Sequence, residues 1–334
     1  MLLIHIGAPK TASTLLHRII HDNRARFAAA GLRVPERGWT AGSGHMSVRQ
    51  SLMRNGDGDP EVEALRAYYR DILAHDEART ILTTETFWPV SPDQILQVYP
   101  QAASARIMMI LRAQSDLIVS HYLQKVKSGV EERTLRGFAE AEHEKYDFAT
   151  KAAEWGAAFG TDSLHILIYE DLVGRNGVIP GVLEEISRIF DVDTTSILAP
   201  EETDALQTRR VNVRLPMAAY PYYFAVSRAD CAADEKVLLR QLINEHVAAQ
   251  PDIDTRAMAG LIEEGGVSAD GRAAFLTALD RHYGPVRDLL DRNQADLTET
   301  LDYIESKYRD GNTDLFAAHA LGSPEVRRLW GLEP

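Results

Sequence analysis

The pattern of apolar and polar residues along this chain predicts short buried strands that alternate with longer amphipathic helices. Four short runs rich in aliphatic and β-branched residues are typical of buried strands, at 2–6, 79–84, 105–111 and 163–168. Apolar residues recur at helical spacing between and after these runs, most clearly at 13–20, 60–75, 114–129, 147–160 and 177–190. Strands that alternate with helices pair in parallel, so the pattern predicts an α/β fold: a three-layer parallel sheet with helices on both faces.

The stretch between residues 36 and 60 is rich in glycine and polar residues, with one short helix predicted at 46–53. An irregular segment of this length inside a compact domain is more often functional than not. We therefore regard it as a candidate wall of a binding pocket.

The pattern weakens beyond Thr194. A basic loop is predicted at 207–212, an aromatic loop at 220–224, and amphipathic helices at 234–248 and 272–292. We expect a core domain over residues 1–200 and a mostly helical C-terminal part over 201–334, packed on the same domain.

The amino-acid composition limits the kinds of molecule that the protein is expected to bind. Asp and Glu number 49 against 36 for Lys and Arg, giving a formal net charge of −13, which argues against nucleic-acid or acidic membrane partners. Any anionic ligand must then be bound by a local basic cluster. Cys231 is the single cysteine, so no intrachain disulfide can form. Since no run reaches the length of a signal peptide's apolar region or a membrane span, we expect a soluble, cytoplasmic protein without a membrane span.

The loop after the first predicted strand is suited to bind an anion. It runs Gly7-Ala-Pro-Lys10-Thr-Ala-Ser13-Thr14 and leads into a helix, whose first N–H groups lack intrahelical partners. Ser13 and Thr14 add hydroxyl donors, and Lys10 adds a positive charge. A Walker A loop would place its lysine directly before Ser or Thr at the helix start, whereas Lys10 comes early. An ordinary strand-to-helix turn capped by Ser13 is the alternative.

This loop resembles the 5′-phosphosulfate-binding loop of sulfotransferases, whose usual form is Pro-Lys-Thr-Gly-Thr-Thr. Here Ala12 replaces the usual glycine and Ser13 replaces a threonine. The resemblance implies a fold related to P-loop NTPases and the sulfuryl donor 3′-phosphoadenosine 5′-phosphosulfate (PAPS). It also implies that six residues bind this donor: Pro9, Lys10, Thr11, Ala12, Ser13 and Thr14.

A second motif begins where the strand at 105–111 ends. Arg112 can hold a phosphate with its planar guanidinium, and Ser120 follows about two helical turns later. The stretch is similar to the 3′-phosphate motif of sulfotransferases, an Arg-x-Pro-x-Asp segment followed by Val-Ser-x-Tyr. The matching residues are Arg112, Asp116, Val119, Ser120 and Tyr122, and Gln114 stands in place of the proline. The resemblance implies that Arg112 and Ser120 bind the 3′-phosphate.

Sulfuryl transfer needs a cation at the departing oxygen and a base at the acceptor. We assign Lys10 to the first role. Glu85 is the first candidate for the base, because it ends the strand between the two motifs, where carbohydrate-type sulfotransferases carry a glutamate. His45 is the second, in the segment where some of them present their base. A salt bridge or helix cap for Glu85, and a surface position for His45, are the alternatives.

Other features add less specific expectations. Arg209 and Arg210 could add charge at the 3′-phosphate, although a solvated loop explains them equally well. Trp39, Trp88 and the aromatic residues at 220–224 could line an acceptor site or pack in the core. Residues 169–172 resemble the Tyr-Glu-Asp-Leu turn of sulfotransferases, which we take as structural. We find no metal-ligand spacing and no Walker B aspartate, so metal-free transfer is expected.

Together these features predict a PAPS-dependent sulfotransferase that acts on a hydroxyl or amine of a carbohydrate or small-molecule acceptor. The alternatives are an ATP-dependent phosphotransferase and a nucleotide-binding protein without catalytic activity. Neither the acceptor nor the oligomeric state follows from the sequence, and a homo-oligomer is compatible with it.

Overall fold

The computed structural model describes residues 1–53, 58–75, 78–199, 201–203, 219–249, 260, 262–263, 265–283 and 297–308. These residues form two compact units. The first unit contains the described residues of 1–113 and 147–203, together with Tyr308. The second contains the described residues of 114–146 and 219–307.

A five-stranded parallel sheet forms the centre of the first unit. Its strands are β1 Leu2–His5, β2 Leu32–Arg33, β3 Arg79–Thr83, β4 Arg106–Leu111 and β5 Leu164–Ile168. They lie in the order β2-β3-β1-β4-β5, and every neighbouring pair is parallel. The predicted α/β fold is thus confirmed, and β1 lies between the other two strands that end in candidate site residues.

Thirteen α-helices with defined bounds accompany these strands in the described part of the chain. They are α1 Ser13–Asp22, α2 Arg24–Ala29, α3 Met46–Met53, α4 Pro60–Ala74, α5 Pro92–Val98, α6 Gln114–Lys127, α7 Leu135–Glu142, α8 Phe148–Phe159, α9 Tyr169–Arg175, α10 Val178–Phe190, α11 Tyr220–Arg228, α12 Ala233–Ala249 and α13 Ala269–Tyr283. Of these, α6, α7 and α11 to α13 belong to the second unit. Residues 297–308 are also helical.

Burial on both faces explains why the central strands consist almost entirely of apolar residues. Met108 and Ile110 of β4 face a core formed with α1, α2 and α10. The alternate residues Ile107 and Met109 point to the opposite face and are equally buried. A strand covered on both faces has no polar side to expose, which is why β4 is a continuous apolar run.

Helix starts in the first unit follow capping chemistry. Asp59 accepts hydrogen bonds from the backbone N–H groups of Glu61 and Val62 at the start of α4. Ser91 and Gln94 form a reciprocal capping box at the start of α5. The first cap fixes the start of α4 at the boundary that the sequence predicts, and the second fixes the start of α5.

The second unit corrects one prediction. Residues 220–224 do not form an aromatic loop: they begin α11, with Pro221 in its first turn, where proline is compatible with a helix. The aromatic side chains of this stretch are buried. The hydroxyl of Tyr220 bonds that of Tyr122 on α6 at 2.9 Å. Burial of these rings drives helix formation in a stretch that the sequence pattern suggested was irregular.

The helix at 297–308 was not predicted, and neither were two helices nearer the N-terminus. The Tyr-Glu-Asp-Leu stretch begins α9 rather than forming only a turn, and α7 has no counterpart in the sequence prediction. Thr134 caps α7 by accepting the N–H of Gly137. Among the described residues, none of the helices combines the length and the apolar character needed to cross a membrane.

Candidate functional site

The loop between β1 and α1, residues 6–12, has an unusual backbone. Lys10 and Ala12 both have positive φ angles, of 66° and 65°. An L-residue in this left-handed region costs about 1 kcal/mol or more, and glycine avoids the cost. Residues with alternating left- and right-handed conformations turn their N–H groups toward one concave side, which is a common anion-binding geometry. A glycine at residue 12 would adopt this conformation without that cost.

The start of α1 shows that Ser13 does not cap this helix. Ala12 occupies the N-cap position of α1, where no side-chain cap hydrogen bond forms, and the first turn holds no acidic residue. The positive end of the helix dipole therefore meets no side-chain carboxylate in its own first turn. This arrangement favours a negatively charged ligand and disfavours the alternative of an ordinary capped turn.

The hydroxyl groups of the loop divide into interior and exterior ones. Thr11 donates to the carbonyl of Ala8 at 2.7 Å, and its oxygen lies 3.4 Å from that of Ser13. Both of these side chains are buried, whereas Thr14 is exposed and Pro9, Lys10 and Ala12 are partly exposed. Thr11 and Ser13 stabilise the loop from inside, and Lys10 and Thr14 lie where a ligand can reach them.

Arg112 lies directly after β4 and contacts this loop. Its guanidinium donates to the backbone carbonyl of Lys10 at 3.1 Å and lies over the ring of Tyr169 at 4.9 Å. The next residue, Ala113, donates its N–H to a carboxylate oxygen of Glu170 at 3.0 Å. The sequence motif indicates only a structural turn at Tyr169 and Glu170. Their position directly after β5, at the edge where β4 also ends, was the signal that could have linked them to Arg112.

Glu85 lies at the corresponding end of β3. It begins a short 3₁₀-helix, Glu85–Phe87, whose start is capped by the hydroxyl of Thr84. Burial raises the pKa of the Glu85 carboxyl, and the positive charge of Lys10 opposes this rise. This electrostatic interaction means that the Glu85 carboxylate lies within reach of the field of the Lys10 ammonium. Lys10, Glu85 and Arg112 thus converge at the carboxyl ends of the adjacent strands β1, β3 and β4.

His45 is not a surface histidine. It is fully buried, its Nε2–H donates to the carbonyl of Pro35 at 2.9 Å, and its Nδ1 accepts the backbone N–H of Thr83 at 3.1 Å. We assign this tautomer from the partners. Burial lowers the pKa of His45 to about 4. With both ring nitrogens bonded to backbone, His45 is placed to hold segment 35–45 against β3, and Glu85 remains the better candidate for a base.

The other predicted residues lie elsewhere or are not described. Ser120 is partly exposed on α6 and belongs to the second unit. Arg209 and Arg210 lie outside the described residues. Trp88 is buried against Phe148, with ring centres 5.5 Å apart, so it packs in the core instead of lining a pocket.

Trp39 is partly exposed and lies under the guanidinium of Arg24, 4.6 Å from its ring centre. Among the described residues, no three His, Cys, Asp or Glu side chains are grouped so that they could hold a metal ion.

A solved structure shows a distant similarity to this chain. No family model matches the chain, and no curated protein matches it. A solved structure, the crystal structure of a sulfotransferase from Alicyclobacillus acidocaldarius, has 15% sequence identity and a TM-score of 0.39. The match covers 77% of this chain and 97% of the sulfotransferase chain.

Proposed function

We propose that this protein transfers a sulfuryl group from PAPS to a hydroxyl or amine of a carbohydrate or small-molecule acceptor. The observation that carries the proposal is the convergence of Lys10, Glu85 and Arg112 at one edge of the sheet. A cation, a carboxylate of raised pKa and a second cation are the groups that this reaction requires.

The donor is assigned by its charges. Within residues 9–14, the backbone N–H groups that follow Pro9 and the Lys10 ammonium bind the 5′-phosphosulfate, and Arg112 binds the 3′-phosphate. Ser120 keeps its role at the 3′-phosphate as a prediction from the sequence motif alone. The left-handed backbone at Lys10 and Ala12 and the uncapped start of α1 support the first of these assignments.

Lys10 and Glu85 have complementary roles in the transfer. An oxygen or nitrogen of the acceptor forms a bond to sulfur while the bond from sulfur to the bridging phosphate oxygen breaks. Glu85 accepts the proton that the acceptor loses, and Lys10 neutralises the charge that grows on the bridging oxygen. The products are the sulfated acceptor and 3′-phosphoadenosine 5′-phosphate (PAP). Positioning and charge stabilisation supply most of the rate enhancement, as in phosphoryl transfer.

The test is transfer of label from ³⁵S-labelled PAPS to pooled acceptors, followed by mass spectrometry of the labelled product. Replacing Lys10 by methionine, which keeps the length of the side chain and removes its charge, should lower turnover by roughly 10²-fold or more. Lys127→Met is the matched control, because Lys127 is exposed on α6, in the other unit. Its turnover should equal that of the wild type.

Other results would contradict the proposal. Near-normal turnover of Lys10→Met would remove the role of Lys10. Calorimetric binding of PAP without labelled product from any acceptor pool would favour the non-catalytic alternative. Mg²⁺-dependent consumption of ATP would favour a phosphotransferase.

A further inference from the structure

Two buried histidines and one threonine form a continuous hydrogen-bonded chain beneath the β1–α1 loop. His5 and Thr83 are register partners at the ends of β1 and β3, and His5 Nδ1 lies 2.8 Å from the Thr83 hydroxyl. The same hydroxyl lies 3.1 Å from Nε2 of His17 on α1. His17 Nδ1 in turn lies 3.2 Å from the carbonyl of Gly42.

The donors and acceptors of this chain can be assigned in only one way for neutral rings. A carbonyl only accepts, so His17 must carry its proton on Nδ1 and leave Nε2 as an acceptor. The hydroxyl proton of Thr83 then goes to His17. The hydroxyl oxygen therefore accepts from His5, which must carry its proton on Nδ1. His5 Nε2 is left with a lone pair.

This lone pair lies beneath the loop. His5 is 1% exposed, and in the described part of the chain no hydrogen-bond partner is within reach of its Nε2. A Cβ atom on Gly7 would lie 3.0 Å from His5 Nε2 and 2.9 Å from the hydroxyl oxygen of Ser13. The ring and the Ser13 hydroxyl therefore share the space beside Gly7, at the start of α1. A side chain at residue 7 would collide with both, which explains the glycine.

We propose that the chain from His5 through Thr83 and His17 to Gly42 holds His5 as its Nδ1–H tautomer, and that His5 Nε2 takes up a proton when a dianion occupies the loop. An unpartnered buried acceptor destabilises the free state, and a proton on that nitrogen converts it into a donor directed toward the loop. The ligand class is a tetrahedral dianion such as sulfate or a phosphate ester. The inference rests on the proposed function only in that both need an anion in this loop.

The charges around His5 favour protonation of its Nε2 when an anion binds in the loop. In the free protein, burial first and the electrostatic interaction with His17 second lower the pKa of His5 to about 3, so His5 is neutral near neutral pH. The two register partners of His5, Thr83 on β3 and Met108 on β4, carry no charge. The start of α1 and Lys10 add positive potential from the loop, and Glu85 and Arg112 flank it. Two negative charges in the loop reverse this potential and stabilise the imidazolium form.

The sign of the pH dependence follows from this arrangement. If binding takes up a proton, anion affinity falls as pH rises between the pKa of the free and the bound state, by up to about tenfold per pH unit. Inorganic sulfate is the probe, because it remains a dianion throughout this range. Any proton taken up on its binding therefore goes to the protein.

The experiment is long-range ¹H–¹⁵N correlation of the full chain labelled with ¹⁵N-histidine, recorded with and without sulfate. Without sulfate, His5 should show a protonated Nδ1 and a bare Nε2. With saturating sulfate near pH 6, both nitrogens should be protonated. His5→Asn is the matched variant, since the asparagine amide can still donate to Thr83 but offers no counterpart of Nε2. Its sulfate affinity should vary less with pH than that of the wild type.

Three results would overturn the inference. An Nε2–H tautomer in the free protein would contradict the assigned chain, and unchanged ring nitrogens while sulfate shifts the backbone amides of residues 7–14 would exclude proton uptake. Neither of these two results would contradict the proposed sulfuryl transfer, which the labelled-PAPS assay measures separately. If sulfate shifts none of these amides, the loop binds no anion, and the proposed function loses its donor site as well. The wild-type spectra decide even if His5→Asn fails to fold.

Discussion

At the scale of single residues, two backbone and side-chain environments decide how the site is built. Ala12 occupies a left-handed conformation that favours glycine, and Glu85 is a half-buried carboxyl near the ammonium of Lys10. The loop motif indicated Ala12 and the end of a predicted strand indicated Glu85, but the conformation of Ala12 and the burial of Glu85 depend on neighbours distant in the sequence. The position of His45 against β3 was unpredictable for the same reason, since its partners Pro35 and Thr83 are fixed by the fold.

Replacing Ala12 by glycine should stabilise the protein. Relief of the left-handed strain, about 1–2 kcal/mol, exceeds the greater entropy of glycine in the unfolded chain, about 0.4–1 kcal/mol. We expect the free energy of unfolding to rise by roughly 0.5–1 kcal/mol, measured by urea denaturation. The matched control is Ala64→Gly on an exposed position of α4, which should lose about 1 kcal/mol. A loss of stability in Ala12→Gly would contradict the strain at this residue.

Replacing Glu85 by glutamine should abolish the acidic limb of the pH profile. Burial raises the pKa of Glu85, so the wild-type kcat/KM should fall with decreasing pH from above the usual range of a carboxyl. The variant should lose about 10²–10⁴-fold in kcat. Glu61→Gln, at an exposed position of α4, should leave the profile unchanged. A wild-type profile retained in Glu85→Gln would assign the base elsewhere.

Glu85→Gln should lower the activity but raise the stability of the protein at neutral pH. Because the folded state raises the pKa of Glu85, protonation favours folding, and the charged carboxylate is penalised above that pKa. Glutamine cannot ionise, so Glu85→Gln should raise the free energy of unfolding at neutral pH and lose this advantage at low pH. Urea denaturation at two pH values measures the difference.

At the scale of elements, the strands were the most predictable part of the fold. Strands that are buried on both faces appear in the sequence as continuous apolar runs. The ends of these runs predict the observed strand ends to within one or two residues. The helices α7, α9 and α11 were missed because their apolar residues pack against partners that only the fold supplies. Strand ends were therefore predictable, and with them the convergence of Lys10, Glu85 and Arg112.

Arg112 tests whether a strand end controls donor binding. Arg112→Lys keeps the charge but loses the planar guanidinium that bonds the Lys10 carbonyl, so the Kd for PAP should rise about 10–100-fold in calorimetry. Arg106→Lys is the matched control at the start of the same strand, where Arg106 also bonds a backbone carbonyl, that of Asp162. An unchanged Kd in Arg112→Lys, or an equal rise in both variants, would exclude a specific role for Arg112.

At the scale of the whole molecule, the net charge of −13 means that an anion site requires a local cluster of positive groups. The acidic balance repels anions in general, so the proposed binding of a doubly phosphorylated nucleotide would depend on the cations and N–H groups of the first unit. The sequence could predict this requirement from composition. It could not predict the two compact units, because the second is assembled from segments 114–146 and 219–307, on either side of residues that belong to the first.

Hydrogen exchange can locate the binding of PAP. Saturation with PAP should slow exchange of the backbone amides of residues 7–14 and of those directly after β4, because a ligand that binds only the folded state suppresses local opening. Adenosine 5′-monophosphate, which lacks the 3′-phosphate, is the matched ligand and should protect these amides less at equal concentration. Equal protection by both nucleotides would exclude recognition of the 3′-phosphate.

The attachment of segment 35–45 to the end of β3 has a consequence for selectivity. His45 bonds Pro35 and Thr83, Thr84 donates to the Ser43 carbonyl at 2.7 Å, and Gly44 approaches the Thr83 carbonyl where a side chain would collide. The backbone next to Glu85 is therefore preformed and rigid. A rigid wall at this place would select acceptors by excluding those whose shape does not fit. Changing the substrate range would then require substitutions in the exposed tip of segment 35–45 and not greater flexibility of the segment.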